Sequence, residues 1–319
     1  MQQRGRPWWL VAAGRLGMDM LRALVRLVLV PGTLIWLRPS ARDRVLISTN
    51  RSGDLLLLRG LLDDWMEQHG IRRIILLCDP RYQVLAGFWS NPAVEVRRIS
   101  SWMQRLWRWA TRQHLGYRGD RILVDHWIGQ FRDVPFLRSR ELFLNRYVEA
   151  PGPLRFSPPD RLPIGSDGRA GLEDCPEMKR VLLCPQALTV DWPAPEGFWT
   201  QLVQALKDRG YSVYTNTAPG ETPLPETQPF AHPYERIPLE SAYLAGAIGV
   251  RSGLMDLLAL CRVSLVVLYG NRTDYHRFSL RQIPDAPVRK EICWEGAKTA
   301  DMVRLVLDGL EGADATENS

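Results

Sequence analysis

Two short polar turns in this chain carry residue types that can do chemistry. The first, Asn50-Arg51-Ser52-Gly53-Asp54, follows the apolar run Val45 to Ile47. The second, Arg251-Ser252-Gly253-Leu254, follows the run from Ala247 to Val250. A carboxylate in the first turn of a helix can accept a proton from a well-positioned hydroxyl. Small residues at a helix N-terminus expose backbone amides, and the helix dipole favours an anion there by ~0.3–1 kcal/mol. An arginine at the same turn adds a fork-shaped donor suited to phosphate. Asp54 is therefore expected to be a general base, with the Arg251 turn holding an anionic co-substrate opposite it. Each turn also has a plainer reading. Asp54 can simply complement the helix dipole, and Ser252 can simply cap a helix with Arg251 in solvent.

Both turns need a strand before them and a helix after them. After Asp54 the apolar residues Leu55, Leu58, Leu62, Trp65 and Met66 fall on one helical stripe. Further short apolar strands are expected at 73–78, 94–99, 121–124, 181–184, 211–215, 247–250 and 263–268. Helical spacing lies between them at 82–89, 100–114, 197–209 and 239–245, and a closing helix is expected at 299–310. Strands alternating with helices predict an α/β chain with parallel sheets covered on both faces. The Pro- and Gly-rich stretch 151–178 breaks the alternation and reads as a linker. It separates a domain at 41–150 from one at 179–312, with residues 313–319 as a disordered tail. Residues 218–233 read as a Pro-rich loop. Tyr275 to Ser279 reads either as a polar surface loop or as part of an anion pocket with Arg277 near phosphate.

The chain has 319 residues, enough for two domains of ordinary size. Its net charge of +6 hides a split. Residues 1–150 carry 24 positive groups, all arginine, against 13 negative ones, a net of +11. Residues 151–319 carry 17 against 22, a net of −5. Nine of the twelve tryptophans lie in the basic half. That pairing suits a phosphorylated glycolipid, a membrane surface or a nucleic acid, unless the arginines merely form a solvated face. The segment Trp102 to Trp109 mixes tryptophan and arginine in the same way. No helix-turn-helix, zinc or RNP-type pattern supports nucleic acid. Cys78, Cys175, Cys184, Cys261 and Cys293 form no C-x-x-C pair, which argues against structural zinc and disulfides. His114 and His126 are isolated and read as structural. Residues 1–40 are apolar but interrupted by Arg15, Arg22 and Arg26, and Pro31-Gly32 closes the run Leu27 to Val30. They read as an amphipathic helix lying in a membrane interface rather than a span or a signal peptide.

These motifs, in their order, resemble the GT-B glycosyltransferases, in particular the heptosyltransferase-like family 9. The resemblance rests on Ser48 to Asp54 ahead of an apolar helix, and on Cys184-Pro185 leading to Trp192-Pro193. It rests also on Ser252-Gly253-Leu254-Met255 opening a helix, and on a strand ending in Tyr269-Gly270. It spans residues 44–270 and implies two Rossmann-like domains facing across a cleft. It further implies inverting sugar transfer from a nucleotide-activated donor, with Asp54 as base and no metal or other cofactor; the chain holds no Asp-x-Asp. Asn50, Arg51, Ser52 and Gly53 would meet an anionic glycan or glycolipid acceptor. Gln186, Thr189, Arg251, Ser252, Gly253, Leu254, Asp256, Tyr269 and Arg277 would meet the donor. The chain departs from the family pattern at three places. Arg251 replaces an acidic residue, Asp256 replaces a histidine, and no lysine precedes Trp192. The departures leave a second reading open, a non-catalytic module that binds nucleotide or glycolipid in an envelope assembly complex.

Overall fold

The computed structural model describes residues 8–48, 51–111, 122–125, 134–146, 152–162, 179–187, 194–218, 220–294, 296 and 298–312. Side chains of the first helix are described from residue 18 onward. The first half contains helix α1 (Trp8–Leu37), β1 (Asp43–Ser48), α2 (Ser52–His69), β2 (Arg73–Cys78) and the short helix α3 (Gln83–Ala86). It continues with β3 (Val94–Arg98), α4 (Ser101–Thr111), β4 (Ile122–Asp125) and α5 (Phe136–Asn145). Its sheet is parallel in the order β3-β2-β1-β4. The strand residues Val45, Ile47, Ile75 and Leu77 point to the α1 and α4 side, while Leu46, Ile74 and Leu76 point to the other. This is the near-continuous apolar run of a sheet covered on both faces.

The second half contains β5 (Arg180–Cys184), α6 (Phe198–Asp208), β6 (Ser212–Asn216), β7 (Gln228–Phe230) and α7 (Ile237–Ser241). It then runs through β8 (Leu244–Val250), α8 (Gly253–Leu260), β9 (Leu265–Tyr269), α9 (Arg272–Phe278), β10 (Val288–Cys293) and α10 (Thr299–Glu311). Its sheet is also parallel, ordered β10-β9-β8-β5-β6-β7. Two parallel α/β sheets with helices are the architecture expected from the alternation.

The two halves share one apolar core. Leu55, Leu58 and Leu62 of α2 pack in the same cluster as Phe136 of α5 and Met255, Leu257 and Leu258 of α8. Each fully buried leucine contributes ~2–3 kcal/mol relative to exposure. The stretch 152–162 is not a free tether: Phe156 packs against this cluster, and Ser157 N–H donates to Gly60 O at 2.7 Å. Gly60 is required there, because a Cβ would meet the Phe156 ring at 2.2 Å.

Four expectations change. The 218–233 segment is not all loop, since β7 pairs with β6. Residues 272–278 form α9 rather than a surface loop. The elements α5 and β10 carry too many charges to show apolar periodicity, and both are present. Helix α1 does not stop at Pro31-Gly32 but continues to Leu37, where Arg38 turns left-handed at φ 47° and Pro39 follows. With that continuity Met18–Leu37 is long and apolar enough to cross a membrane by length and composition, at a mean hydropathy of 1.7. Residues 163–178, the tail 313–319, His114 and His126 lie outside the described residues.

Candidate active site at the junction of two turns

In each sheet the chain reverses its direction of strand addition beside the first strand, between β1 and β4 and between β5 and β8. Open α/β sheets bind ligands outside the carboxyl ends of strands at such switch points. The two polar turns sit at those ends. Arg51 to Asp54 follow β1, and Arg251 to Leu254 follow β8.

The turns touch. A Cβ on Gly253 would lie 2.1 Å from Ser52 Oγ and 2.9 Å from the Gly53 nitrogen. A Cβ on Gly53 would lie 2.0 Å from Asp256 Oδ2 and 3.3 Å from the Gly253 Cα. Both glycines are fixed by this close approach, with no help from unusual backbone angles. The helix starts therefore meet head to head, and the cleft opens beside them rather than between them. Tyr234 links the halves again, donating its hydroxyl hydrogen to Ser52 Oγ at 3.3 Å.

A cavity of ≈ 710 Å³ lies along this junction. It is lined by Arg51, Ser52, Gly53 and Asp54 from one half, and by Gln186, Arg251, Ser252, Gly253 and Leu254 from the other. Asn50 and Thr189 lie outside the described residues, as do Val190 to Pro193. Arg51 is exposed at the N-cap of α2 and makes no capping bond, so the first amides of that helix lack a side-chain cap. Ser252 does cap α8, its Oγ accepting from Met255 N–H at 3.4 Å. Cap and cavity wall are thus the same residue.

Asp54, in the cavity wall, is ion-paired to a residue behind it. Its Oδ1 lies 3.2 Å from Arg140 Nη2, and Arg140 is itself buried, its guanidinium 5.0 Å from the Phe136 ring centre. Nothing in the sequence singled out Arg140, because α5 was not recognised as an element. The only available signal was the spacing of Phe136 and Arg140, one helical turn apart.

Arg251 is not in solvent. It is 6 % exposed, its Nη2 lies 2.7 Å from Asp256 Oδ1, and its Nε donates to Phe278 O at 3.3 Å. Its guanidinium lies 5.1 Å from the Phe136 ring centre and 5.5 Å from that of Phe278. Phe278 O also accepts from the Tyr269 hydroxyl at 3.1 Å, and Tyr269 is fully buried. Burial and the neighbouring Glu291 push that hydroxyl's pKa far up. Tyr269 is thus a buttress behind the cavity wall. Arg277 stacks on Phe278 at 4.9 Å and does not line the cavity. Asp256 is completely buried behind Gly53 and does not line it either. Among the nine residues expected at the donor, these three stand behind the wall.

Asp54, Asp256, Arg140 and Arg251 form an electrically balanced quartet around Phe136. Burial pushes the Asp256 carboxyl up to about 6, Arg251 opposes this, and the Asp54 charge adds to it. A carboxyl whose pKa is higher folded than unfolded binds its proton more tightly in the native state. Its stabilising proton is fully in place below pH ~3.8 and is lost as pH rises through about 6. Relative to Asp256→Asn, the wild type should lose about 3 kcal/mol between those limits, read from urea unfolding at several pH values. A difference between the two proteins that stays constant from pH 4 to 7 would contradict this.

Sequence reasoning also missed the far wall of the cavity. Asn216 ends β6, and Thr217, Glu221, His232 and Tyr234 follow. The switch-point rule could have found Asn216 and Thr217, since β6 adjoins β5. Arg108 of α4 and Tyr82 close the other side. Among the described residues no three His, Cys, Asp or Glu side chains gather so as to hold a metal ion.

No protein-family model matches the chain, and no curated protein matches it in sequence. Solved structures do match. ADP-heptose lipopolysaccharide heptosyltransferase II of E. coli aligns with a TM-score of 0.57 at 13 % identity, over 85 % of this chain and 100 % of that one. The dodecameric heptosyltransferase TibC of enterotoxigenic E. coli, solved with ADP-D-β-D-heptose, aligns with a TM-score of 0.57 at 15 % identity, over 85 % and 76 %. A family 9 glycosyl transferase from Veillonella parvula aligns with a TM-score of 0.53 at 11 % identity, over 84 % and 97 %. Two parallel sheets, switch points facing one cavity and these alignments together make the fold of this chain the GT-B fold of heptosyltransferase-like family 9 enzymes.

Proposed function

We propose that this protein is an inverting, metal-independent glycosyltransferase. It moves a sugar from a nucleotide-activated donor to an anionic glycan or glycolipid acceptor of lipopolysaccharide or capsule type. Its place of action is the cytoplasmic face of a bacterial membrane. The observation that carries the reading is that Asp54 and the Ser252-Gly253-Leu254 helix start line one cavity. Asp54 takes the proton of the attacking acceptor hydroxyl. The amides of α8 receive the donor diphosphate, whose charge grows as the glycosidic bond breaks. The acceptor enters over Arg51 and the basic half of the molecule.

A thermal-shift panel of ADP-, UDP-, GDP- and CMP-sugars tests the donor side. A true donor at about 100 times its Kd adds ~2.7 kcal/mol, a rise of roughly 4 °C in Tm for a chain of this length. A flat response across all four nucleotide classes would count against the reading.

One observation favours a non-catalytic nucleotide- or glycolipid-binding module. The charge of Arg251, which could have met a phosphate, is already matched by Asp256. Such a module would show the thermal shift and no sugar transfer.

A further inference from the structure

Helix α1 turns Arg22 and Arg26 inward and an uncharged apolar face outward, which a helix on a soluble domain does not do. Arg22 and Arg26 are buried toward the protein, Arg22 5.6 Å from the Trp109 ring centre and paired with Asp19 at 3.0 Å. Leu29, Val30, Leu34 and Leu37 pack on the same side, against the sheet cluster. The opposite face presents Met20, Leu24, Leu27, Val28, Ile35 and Trp36, each 56 % exposed or more. Every exposed residue from Met20 to Trp36 is uncharged. A face of this length and composition in water marks an interaction surface.

Its neighbour says what covers it. Helix α4 packs beside α1 and exposes Trp102, Arg105 and Arg108 at three-residue spacing. Trp102 is 58 % exposed. Apolar residues flanked by tryptophan and then by arginine follow the layering of a bilayer with an anionic surface, from acyl chain through interface to head group.

We propose that α1 lies in the plane of an anionic membrane, its exposed face among the acyl chains and the α4 ridge among the head groups. This deepens the membrane placement given above. Length alone would let Met18–Leu37 cross a bilayer, but one side of α1 is committed to α4 and the sheet, and an open sheet edge with its loops cannot enter the hydrocarbon beside it. Arg108 belongs both to the ridge and to the cavity lining, so the membrane surface leads to the site. A lipid-linked acceptor then reaches Asp54 without leaving the bilayer.

Flotation of the full chain with vesicles tests this, using phosphatidylglycerol–phosphatidylethanolamine against pure phosphatidylcholine. The wild type should float with the anionic vesicles and resist high salt better than a purely electrostatic binder. Leu24→Glu with Leu27→Glu should weaken binding more than about tenfold, because two exposed leucines lose their acyl contacts to charges. Their exposure keeps the thermal midpoint unchanged. Arg105→Gln should cost about fivefold on anionic vesicles and nothing on phosphatidylcholine. Asp54→Asn should float like the wild type, which separates docking from catalysis. Three results would overturn the proposal. One is flotation unaffected by the glutamate pair. Another is resistance to alkaline carbonate extraction, the mark of a true span. The third is a wild type that ignores vesicles but forms a dimer that the glutamate pair dissociates.

Discussion

Asp54→Asn should lower sugar transfer by about 10²–10⁴-fold while leaving donor binding in place. Asparagine keeps the size of the side chain and keeps an oxygen that can accept from Arg140, 3.2 Å away in the wild type. It cannot take a proton. The geometry makes the comparison clean, because Asp54 lines the cavity while the residues expected at the donor phosphates lie on the other half of the chain. Loss of the ion pair leaves Arg140 buried with a weaker partner, so some stability is lost too. Urea unfolding and a donor titration on the same variant separate the effects. An intact donor shift with no turnover supports the base role, and wild-type turnover would end it. Arg140→Gln is the companion experiment. A positioning role predicts that kcat falls while the KM for the donor and the unfolding midpoint stay near those of the wild type, since the Asp54 carboxylate loses the group 3.2 Å away that orients it. A purely structural role predicts a lower unfolding midpoint with an unchanged kcat for the folded fraction.

Much of the scaffold could be read from residue types alone, and the reason is physical. Buried parallel strands such as Arg73–Cys78 and Arg180–Cys184 are short apolar runs with polar turns on either side, so their limits show. The helix start at Ser52 and the one at Gly253 show for the same reason. The elements that escaped are those whose polar residues find partners only in three dimensions. Helix α5 reads Phe-Leu-Arg-Ser-Arg-Glu, with Ser139, Arg140 and Glu141 all buried. Its first amides need Gln282 of the other half, whose Oε1 accepts from Leu137 N–H at 3.1 Å. No local pattern announces such a cap. Strand β10 reads Val-Arg-Lys-Glu-Ile-Cys, an edge strand whose charges hide the alternation. Its Glu291 is spent on Tyr269, Ser279 and Leu280.

The site was legible to the same degree. The two turns were found because glycine beside a small hydroxyl residue at a strand end is a local signal. Their direct contact was not, since a Cβ clash between Gly253 and Ser52 involves residues about two hundred positions apart. Arg251 shows the limit most plainly. Its spacing from Asp256 fits both a free phosphate donor and a buried ion pair, and only the burial of Asp256 decides between them.

Arg251→Ala should therefore act first on stability, by about 3–5 kcal/mol, because it strands the Asp256 carboxylate. In the wild type Asp256 titrates near 6, raised by burial and held down chiefly by Arg251. Without that cation its pKa climbs further. The wild type stops losing stability once pH has risen past about 6 and its carboxyl has ionised, whereas the variant goes on losing it to higher pH. The gap between the two should be small at pH 5 and widen above 6. Replacing the pair together, as Arg251→Met with Asp256→Leu, removes both buried charges and should recover most of the loss. Urea midpoints of wild type, both single variants and the double variant close the cycle. A single variant as stable as the wild type at pH 8 would show that the charges are not coupled. If the cycle closes as expected, weaker nucleotide binding by Arg251→Ala cannot by itself assign Arg251 to the donor, because moving Asp256 disturbs Gly53 and the turn that carries Asp54. The double variant restores that packing without the guanidinium, so its nucleotide affinity measures what Arg251 gives the donor directly.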